Sequence, residues 1–211
     1  MSSSAKLASQ IAQSGSFHPS IIEAIQAIDR LRFVPEGFKR HAYTLDALPM
    51  QANQWLSSPL TVAKMTQALE PWNADSVLEI GCGSGYQAAI LSRIVRRVFT
   101  IERIERLLLQ ARLTFKELNL TNINTRLDDG TTGWREFAPF DRILFSAALP
   151  AIPEALIEQL SPKGIIVAPI THGHEQIITR FVKYGRTLTA TKLESCRFVP
   201  IVHGIEKHSL S

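Results

Sequence analysis

The segment VLEIGCGSGYQAA, residues 77–89, places Gly81, Gly83 and Gly85 between an apolar run and helix-forming residues. Glycines spaced in this way after a strand allow a tight turn and a close approach of the backbone to a ligand. A dinucleotide-binding fingerprint reads G-x-G-x-x-G, whereas Tyr86 stands here where the third glycine would fall. The motif therefore favours a different nucleotide-like ligand, with a purely structural turn as the alternative.

Glu79 narrows the chemistry of that ligand, because a carboxylate two residues before the first glycine repels a phosphate and attracts a cation. S-adenosyl-L-methionine is a phosphate-free nucleoside with an ammonium and a sulfonium group. We predict that the Glu79 side chain and the backbone N–H groups of the glycine turn hold its methionine portion. The residues of this turn are Gly81, Cys82, Gly83, Ser84 and Gly85.

The elements that must position these residues follow from alternating strand and helix patterns after residue 75. We predict strands at SVLEI, RVFTI, INTRL, DRILFSA and GIIVAPI, separated by helices at YQAAILSRIV, ERLLLQARLTFKEL and PEALIEQL. Apolar runs of this kind are typical of parallel strands buried on both faces. The predicted fold class is α/β, a Rossmann-like class I methyltransferase fold with a mostly parallel twisted sheet and helices on both faces.

In open α/β sheets, ligands bind outside the carboxyl ends of the strands, and polar or small residues follow four of the predicted strands. Glu102 is placed to accept hydrogen bonds from both ribose hydroxyls. The next residue, Arg103, is also predicted to bind the cofactor. Asp129 is predicted to accept from the adenine amino group, with the Gly130 backbone against the ring edge. The segment of Ser146, Ala147 and Ala148 leaves room for the methyl group and its acceptor.

Each of these residues also has a structural explanation. Glu102 suits a helix N-terminus, Asp129 and Gly130 suit a turn, and residues 146–148 suit close packing. Their joint position at four strand ends favours the cofactor site.

The remaining segments extend this core. An amphipathic helix is predicted from Pro19, with Ile21, Ile25, Ile28 and Leu31 on one face, followed by a loop-rich stretch over residues 36–59. A second helix has Leu60, Ala63, Met65 and Leu69 as core candidates. The tail, residues 175–202, predicts an antiparallel hairpin around YGR at the sheet edge. We expect one domain over residues 1–211, with a helical and loop extension (1–75), a core (76–170) and a C-terminal hairpin and tail (171–211).

Composition limits the function classes. The chain of 211 residues has a net charge of +4 that is scattered rather than clustered, so nucleic-acid binding is not expected. We expect no membrane association, a cytoplasmic location, a monomer and two reduced cysteines, Cys82 and Cys196. His172 and His174 lack an evident third ligand, so no metal site is predicted.

The acceptor chemistry can be narrowed by elimination. The fourth strand ends in SAALP rather than in the N/D-P-P-Y/F/W turn used for aromatic amines, and neither cysteine is placed for attack on cytosine C5. A carboxylate acceptor needs neither device, because it is already nucleophilic at neutral pH and has only to be held in line with the sulfonium.

The sequence resembles the protein-L-isoaspartate (D-aspartate) O-methyltransferase family from about Ile21 to Ile201. The resemblance rests on RFVPEGF, AYTLDALP, SSPLTVAKMTQALE, VLEIGCGSGYQAAIL, TIERIERL, DDGTTGW, APFDRILFSAALPAIPEALIEQL and the late RFVPI. It implies methyl transfer from S-adenosyl-L-methionine to the α-carboxylate of L-isoaspartyl residues in damaged proteins and peptides. The ester then cyclises to a succinimide that can reopen as aspartate.

The family's catalytic serine lies in a G-Q-T-I-S-Q-P loop, which NQWLSSP matches here, so the resemblance assigns Ser57 as the residue that orients the carboxylate. It also places Ser58, Ala147, Ala148 and Val199 on the substrate side. Either serine could instead cap the following helix.

The loop departs from the family pattern at Asn53, Trp55 and Ser58, and LPMQAN lacks a glycine that usually follows LP. Trp55 would narrow the acceptor pocket. The alternatives are therefore a methyltransferase of the same fold that acts on a small molecule or RNA, with Trp55 stacking on the acceptor, and a cofactor-binding protein without turnover.

Overall fold

A computed structural model describes residues 2–207. Seven strands form one sheet in the order β5-β4-β3-β6-β7-β8-β9, and the two-residue strands β1 and β2 pair separately. The strands are β1 Leu48–Pro49, β2 Trp55–Leu56, β3 Ser76–Ile80, β4 Arg97–Glu102, β5 Ile123–Leu127, β6 Phe140–Phe145, β7 Leu160–His172, β8 Glu175–Tyr184 and β9 Thr187–Cys196. The α-helices are α1 Ser3–Gln13, α2 Pro19–Ala27, α3 Pro59–Leu69, α4 Tyr86–Ser92, α5 Glu105–Glu117 and α6 Glu154–Glu158.

The strands β3 to β7 are parallel, as the alternating sequence pattern predicts, and β3 lies between β4 and β6. The chain runs outward from β3 to β5 and then crosses back to β6. This reversal leaves a crevice beyond the carboxyl ends of β3, β4 and β6, which is the usual ligand position in such sheets.

Successive residues of the central strands enter two hydrophobic clusters on opposite faces of the sheet. Val77 and Val98 pack on the face that also holds apolar residues of α1 to α5, whereas Leu78 and Phe99 pack on the face of α6. Helices therefore cover both faces, as predicted, but unevenly. The α6 face is completed by short 3-10 helices at Gly130–Thr132 and Arg135–Phe137.

The N-terminal region is more ordered than its sequence suggests. Helix α1 lies in the serine-rich start and was not predicted, although Leu7, Ala8 and Ile11 are buried in it. The predicted helix from Pro19 ends early at Ala27, and Leu31 belongs to a 3-10 helix and is only half-buried. In α3, which Ser58 caps, Val62 is buried, whereas the predicted core residue Leu60 is only half-buried.

The predicted hairpin at the sheet edge is confirmed. Strands β8 and β9 pair antiparallel with Tyr184 opposite Thr187, and β8 pairs with β7. Within residues 2–207 there is no helix with the length and apolar character needed to cross a membrane.

Residues 199–206, here called the C-terminal strap, leave the sheet edge and run across the carboxyl ends of the strands. The Ala148 N–H donates to the Val199 carbonyl over 2.8 Å, and the Ile201 N–H donates to the Ala148 carbonyl over 2.7 Å. Farther along, the Glu206 N–H donates to the Arg103 carbonyl over 2.8 Å. The strap therefore connects the tip of β6 with the tip of β4.

Candidate cofactor and acceptor site

A cavity of about 890 Å³, part of it open to solvent, lies between the strand tips and the strap. Most of the residues that the sequence predicts for the site line it: Ser57, Glu79, Gly81, Cys82, Gly83, Ser84, Glu102, Arg103, Gly130, Ser146, Ala147 and Val199. One cavity thus contains the expected cofactor residues and the expected acceptor residues.

Gly85, predicted as a cofactor contact, does not line this cavity. Its φ is +88°, and a Cβ built on it would lie 2.5 Å from Cζ of Phe115 in α5. Gly85 therefore permits the turn and the close packing of α4 against α5. This is the packing role of the third glycine of a dinucleotide motif, moved by one residue.

Asp129, predicted to accept from the adenine amino group, also lies outside the cavity lining. Its carboxylate accepts hydrogen bonds from the Gly204 N–H at 2.9 Å, from Thr131 through its N–H and hydroxyl, and contacts His203. Burial raises the pKa of Asp129, but these hydrogen bonds outweigh it and lower the pKa to about 2. Asp129 therefore anchors the strap above β5, while its neighbour Gly130 lines the cavity.

Two predicted substrate residues have structural positions instead. Ser58 is the N-cap of α3, where its hydroxyl oxygen accepts from the Leu60 N–H and its hydroxyl donates to the Leu45 carbonyl. Ala148 is buried and holds the strap through its backbone. Neither residue lines the cavity. Helix capping thus falls to Ser58, and the neighbouring Ser57 remains available to a ligand.

The glycine turn offers carbonyl oxygens to a ligand, whereas the sequence analysis predicted that its N–H groups hold the ligand. The N–H groups of Gly81 and Cys82 donate to the Ile101 carbonyl, and that of Gly85 donates to the Cys82 carbonyl. The Gly83 N–H donates to Glu102. These amides are therefore used within the protein. Within residues 2–207 no hydrogen bond ends on the carbonyl oxygens of Gly81 or Gly83, which are suited to a ligand ammonium.

Glu102 combines a structural role with free acceptor capacity. Its two carboxylate oxygens accept from the Gly83 N–H at 2.8 Å and from the Ile104 N–H at 2.9 Å. Burial raises its pKa, whereas these backbone hydrogen bonds act in the opposite direction. A carboxylate offers about four acceptor positions, so two remain for ribose hydroxyls. The same side chain therefore fixes the glycine turn and faces the cavity.

Glu79 is fully buried, and among residues 2–207 its carboxyl accepts hydrogen bonds from two neutral donors, the hydroxyl of Thr100 at 2.6 Å and that of Ser146 at 3.3 Å. The pKa of Glu79 is raised to about 8, mainly by burial; the hydrogen bonds from Thr100 and Ser146 act in the opposite direction, and the charge of nearby Glu102 adds to the rise. A cation beside this buried side chain would stabilise its carboxylate form. A ligand that carries ammonium and sulfonium groups and no phosphate fits that environment.

The state of Glu79 gives a testable pH dependence. Because its pKa is near 8 without ligand, Glu79 is mostly protonated at pH 6.5, and a bound cation favours its carboxylate form. We expect binding of S-adenosyl-L-methionine to release a fraction of one proton at pH 6.5 and almost none at pH 9. Affinity should accordingly rise with pH up to about 8. Calorimetry in buffers of different ionisation enthalpy measures this release; the same release from Glu79→Gln would contradict the assignment.

The acceptor side is organised by Arg30, a residue that the sequence analysis did not identify. Arg30 is fully buried and donates through Nη1 and Nη2 to the carbonyls of Ala42 and Ser57, both at 2.9 Å. Longer contacts reach the carbonyls of Thr44 and Asp46. Arg30 therefore holds the whole segment from residue 42 to 57 in place. Ser57 lines the cavity, and its carbonyl oxygen is held by the hydrogen bond from Arg30.

Several lining residues were not predicted from the sequence. They come from the segment before α3, from α3, from the end of β3, from the first turn of α4, from β4 and the loop after it, and from the strap: Gln54, Leu56, Val62, Ile80, Tyr86, Gln87, Ile101, Ile104, Pro200, Ile201 and Val202. Trp55, which the sequence analysis expects to narrow the acceptor pocket, also lines the cavity. The family-like RFVPI segment was the one signal for the strap. In residues 2–207 no group of three or more His, Cys, Asp or Glu could hold a metal ion, and Cys82 and Cys196 are free thiols.

Comparisons with known proteins agree with this geometry. The sequence model of the family described as protein-L-isoaspartate(D-aspartate) O-methyltransferase matches residues 2–206. A Helicobacter pylori (strain P12) protein named protein-L-isoaspartate O-methyltransferase is 59% identical over 190 residues, which cover 90% of this chain and 91% of that protein.

Two solved structures share the fold. A protein-L-isoaspartate O-methyltransferase superposes with a TM-score of 0.88 at 25% identity, covering 95% of this chain and 66% of that longer chain. A Plasmodium falciparum structure in complex with S-adenosyl-L-homocysteine superposes with a TM-score of 0.85 at 17% identity, covering 96% of this chain and 99% of that one. On the extent of the family match and the identity to its relatives, the chain belongs to the protein-L-isoaspartate (D-aspartate) O-methyltransferase family.

Proposed function

We propose that this chain transfers a methyl group from S-adenosyl-L-methionine to the α-carboxylate of L-isoaspartyl residues in damaged proteins and peptides. The observation that carries the proposal is the shared cavity, in which Ser57 and Ala147 line the same space as Glu79 and Glu102. Donor and acceptor can therefore meet in one site. The methyl ester that forms can cyclise to a succinimide, so the function is protein repair.

On the cofactor side, S-adenosyl-L-methionine supplies a methyl group on a sulfonium that a carboxylate oxygen can displace in line. Glu102 accepts the ribose hydroxyls through the acceptor positions that Gly83 and Ile104 leave free. Glu79 and the carbonyls of the glycine turn receive the ammonium group. Gly130 lets the backbone approach the adenine edge, whereas Asp129 acts indirectly, by holding the strap.

On the acceptor side, the Ser57 hydroxyl donates a hydrogen bond to the isoaspartyl carboxylate and orients it. It has no role as a nucleophile, because the carboxylate itself attacks and needs no general base. Arg30 fixes the position of Ser57 by donating a hydrogen bond from Nη2 to the Ser57 carbonyl oxygen over 2.9 Å. Small residues, Ser146 and Ala147, leave space between the two ligands.

The strap limits access of water to the reacting groups. Val199, Pro200, Ile201 and Val202 contribute apolar lining, and hydrogen bonds hold the strap at the tips of β6, β5 and β4. Exclusion of water strengthens the electrostatic contacts of the buried carboxyls.

The proposal includes the wider setting of the protein. We place it in the cytoplasm as a monomer without nucleic-acid or membrane partners, and the two free thiols support a reducing compartment. The chain acts as one domain in which residues 1–75 supply the acceptor side and residues 76–170 the cofactor side.

Replacing Ser57 with alanine tests the orienting role. We expect kcat for an isoaspartyl peptide to fall about 10- to 100-fold, since a hydrogen bond to a charged group contributes roughly 1.5–3 kcal/mol. Affinity for S-adenosyl-L-homocysteine should change little. Ser58→Ala is the matched control: it removes the α3 cap and about 1 kcal/mol of stability, but should leave kcat intact at a temperature where it is folded. Equal kcat for Ser57→Ala and wild type would refute the role.

The activity itself is tested with cofactor labelled in the methyl group and two peptides that differ only in an isoaspartyl or a normal aspartyl residue. We expect base-labile label on the isoaspartyl peptide alone. Label on neither peptide, with cofactor binding intact, would support a binding protein without turnover instead.

A further inference from the structure

Trp55 is unusual in being both part of the cavity lining and 57% exposed to solvent. It lies in β2, where successive side chains point to opposite sides. Leu56 is 3% exposed and belongs to the hydrophobic core, and the two residues that flank it in the chain, Trp55 and Ser57, both line the cavity. The indole therefore stands at the cavity mouth, next to the hydroxyl assigned to the isoaspartyl carboxylate.

A second exposed apolar side chain adjoins the same cavity. Val202 of the strap is 48% exposed and also lines it. Among the described residues with large exposed apolar side chains, Trp55 and Val202 are the two that line this cavity. The mouth thus has an apolar rim formed by two separate elements. A solvent-exposed tryptophan side chain at the rim of a cavity is characteristic of a residue that contacts a ligand.

We propose that Trp55 is a specificity-determining residue that binds the apolar side chain of the peptide residue next to the isoaspartyl residue. The inference rests on the proposed function. Residues i and i+2 of a strand are about 6.6 Å apart. An extended peptide whose carboxylate is held at Ser57 therefore brings a neighbouring side chain to the indole. The wall offered by Trp55 and Val202 is apolar, so a leucine or phenylalanine neighbour gains most from burial there.

The test compares isoaspartyl peptides that carry glycine, leucine, phenylalanine or lysine on each flank in turn. For the wild-type protein we expect kcat/KM to be about tenfold higher with leucine or phenylalanine than with glycine on one of the two flanks. In Trp55→Thr this ratio should fall to about twofold or less. Trp55→Phe should keep most of the ratio.

Tyr184→Thr is the matched control, because Tyr184 is 58% exposed and lies outside the cavity lining. It should leave every ratio unchanged. Equal kcat/KM for all flanks in the wild type, or a ratio that survives Trp55→Thr, would overturn the inference. A gain from lysine as large as that from leucine would overturn the apolar contact. Failure of the proposed function is distinguishable, since no isoaspartyl peptide would then be methylated by any variant.

Discussion

Arg30→Met is expected to lower the free energy of unfolding by about 3–5 kcal/mol and to reduce kcat at least tenfold in the protein that remains folded. Methionine approximates the length of the side chain but donates no hydrogen bonds. The carbonyls of Ala42 and Ser57 then lose their guanidinium donor at a buried position. The contact of the guanidinium with the Tyr86 ring, 5.7 Å from its centroid, is lost as well.

The loss of turnover should exceed what unfolding explains, because Arg30 positions the segment that carries Ser57. Denaturant unfolding measures the change in the free energy of unfolding, and kcat is then measured at a temperature where the variant is folded. Affinity for S-adenosyl-L-homocysteine should change less than kcat. Arg30→Lys keeps a charge but lacks the planar fork that reaches several carbonyls, so it should restore part of each value. Full kcat in folded Arg30→Met would show that Ser57 is positioned without it.

Gly85→Ala is expected to destabilise the fold by about 2–4 kcal/mol, which for a chain of this size lowers Tm by about 4–16 °C. Two effects combine. The φ of +88° disfavours any side chain, and the new Cβ would lie 2.5 Å from Cζ and 2.6 Å from Cε1 of Phe115. Phe115 is itself buried, so α5 would have to move away from the glycine turn.

Gly83→Ala provides the comparison for Gly85→Ala. Gly83 has a φ of +54°, in the left-handed helical region, and nothing lies within 4 Å of a Cβ built there. Its substitution should therefore cost only about 1–2 kcal/mol. Thermal unfolding of both variants measures the difference. If the two Tm values fall equally, the steric contact with Phe115 is not what requires glycine at residue 85.

The parallel core could be predicted because its determinants are local. Each residue of Ser76–Ile80 is buried, and the glycine turn follows at once, so the strand and its functional end lie within ten residues. The position of Glu102 at the next strand end followed from the same regularity. Tyr86, which stands where a dinucleotide-binding motif has its third glycine, indicated a ligand other than a dinucleotide, and it lines the cavity.

The predicted site residues that do not line the cavity are held by partners distant in the sequence. Asp129 looked like an adenine contact, but Gly204, 75 residues away, occupies its carboxylate. Gly85 looked like part of the cofactor turn, but its environment is set by Phe115 on α5. Arg30 gave no signal at all, since its four carbonyl acceptors are spread over residues 42–57 and no residue type marks a backbone acceptor.

Calorimetric titration with S-adenosyl-L-homocysteine tests most directly whether the cavity beneath the strap is the cofactor site. For the wild type we predict one binding site per chain, and for Glu102→Ala a loss of about 1–3 kcal/mol in binding free energy, provided that circular dichroism shows the variant folded. No heat with the wild type, or equal affinity in folded Glu102→Ala, would contradict the account.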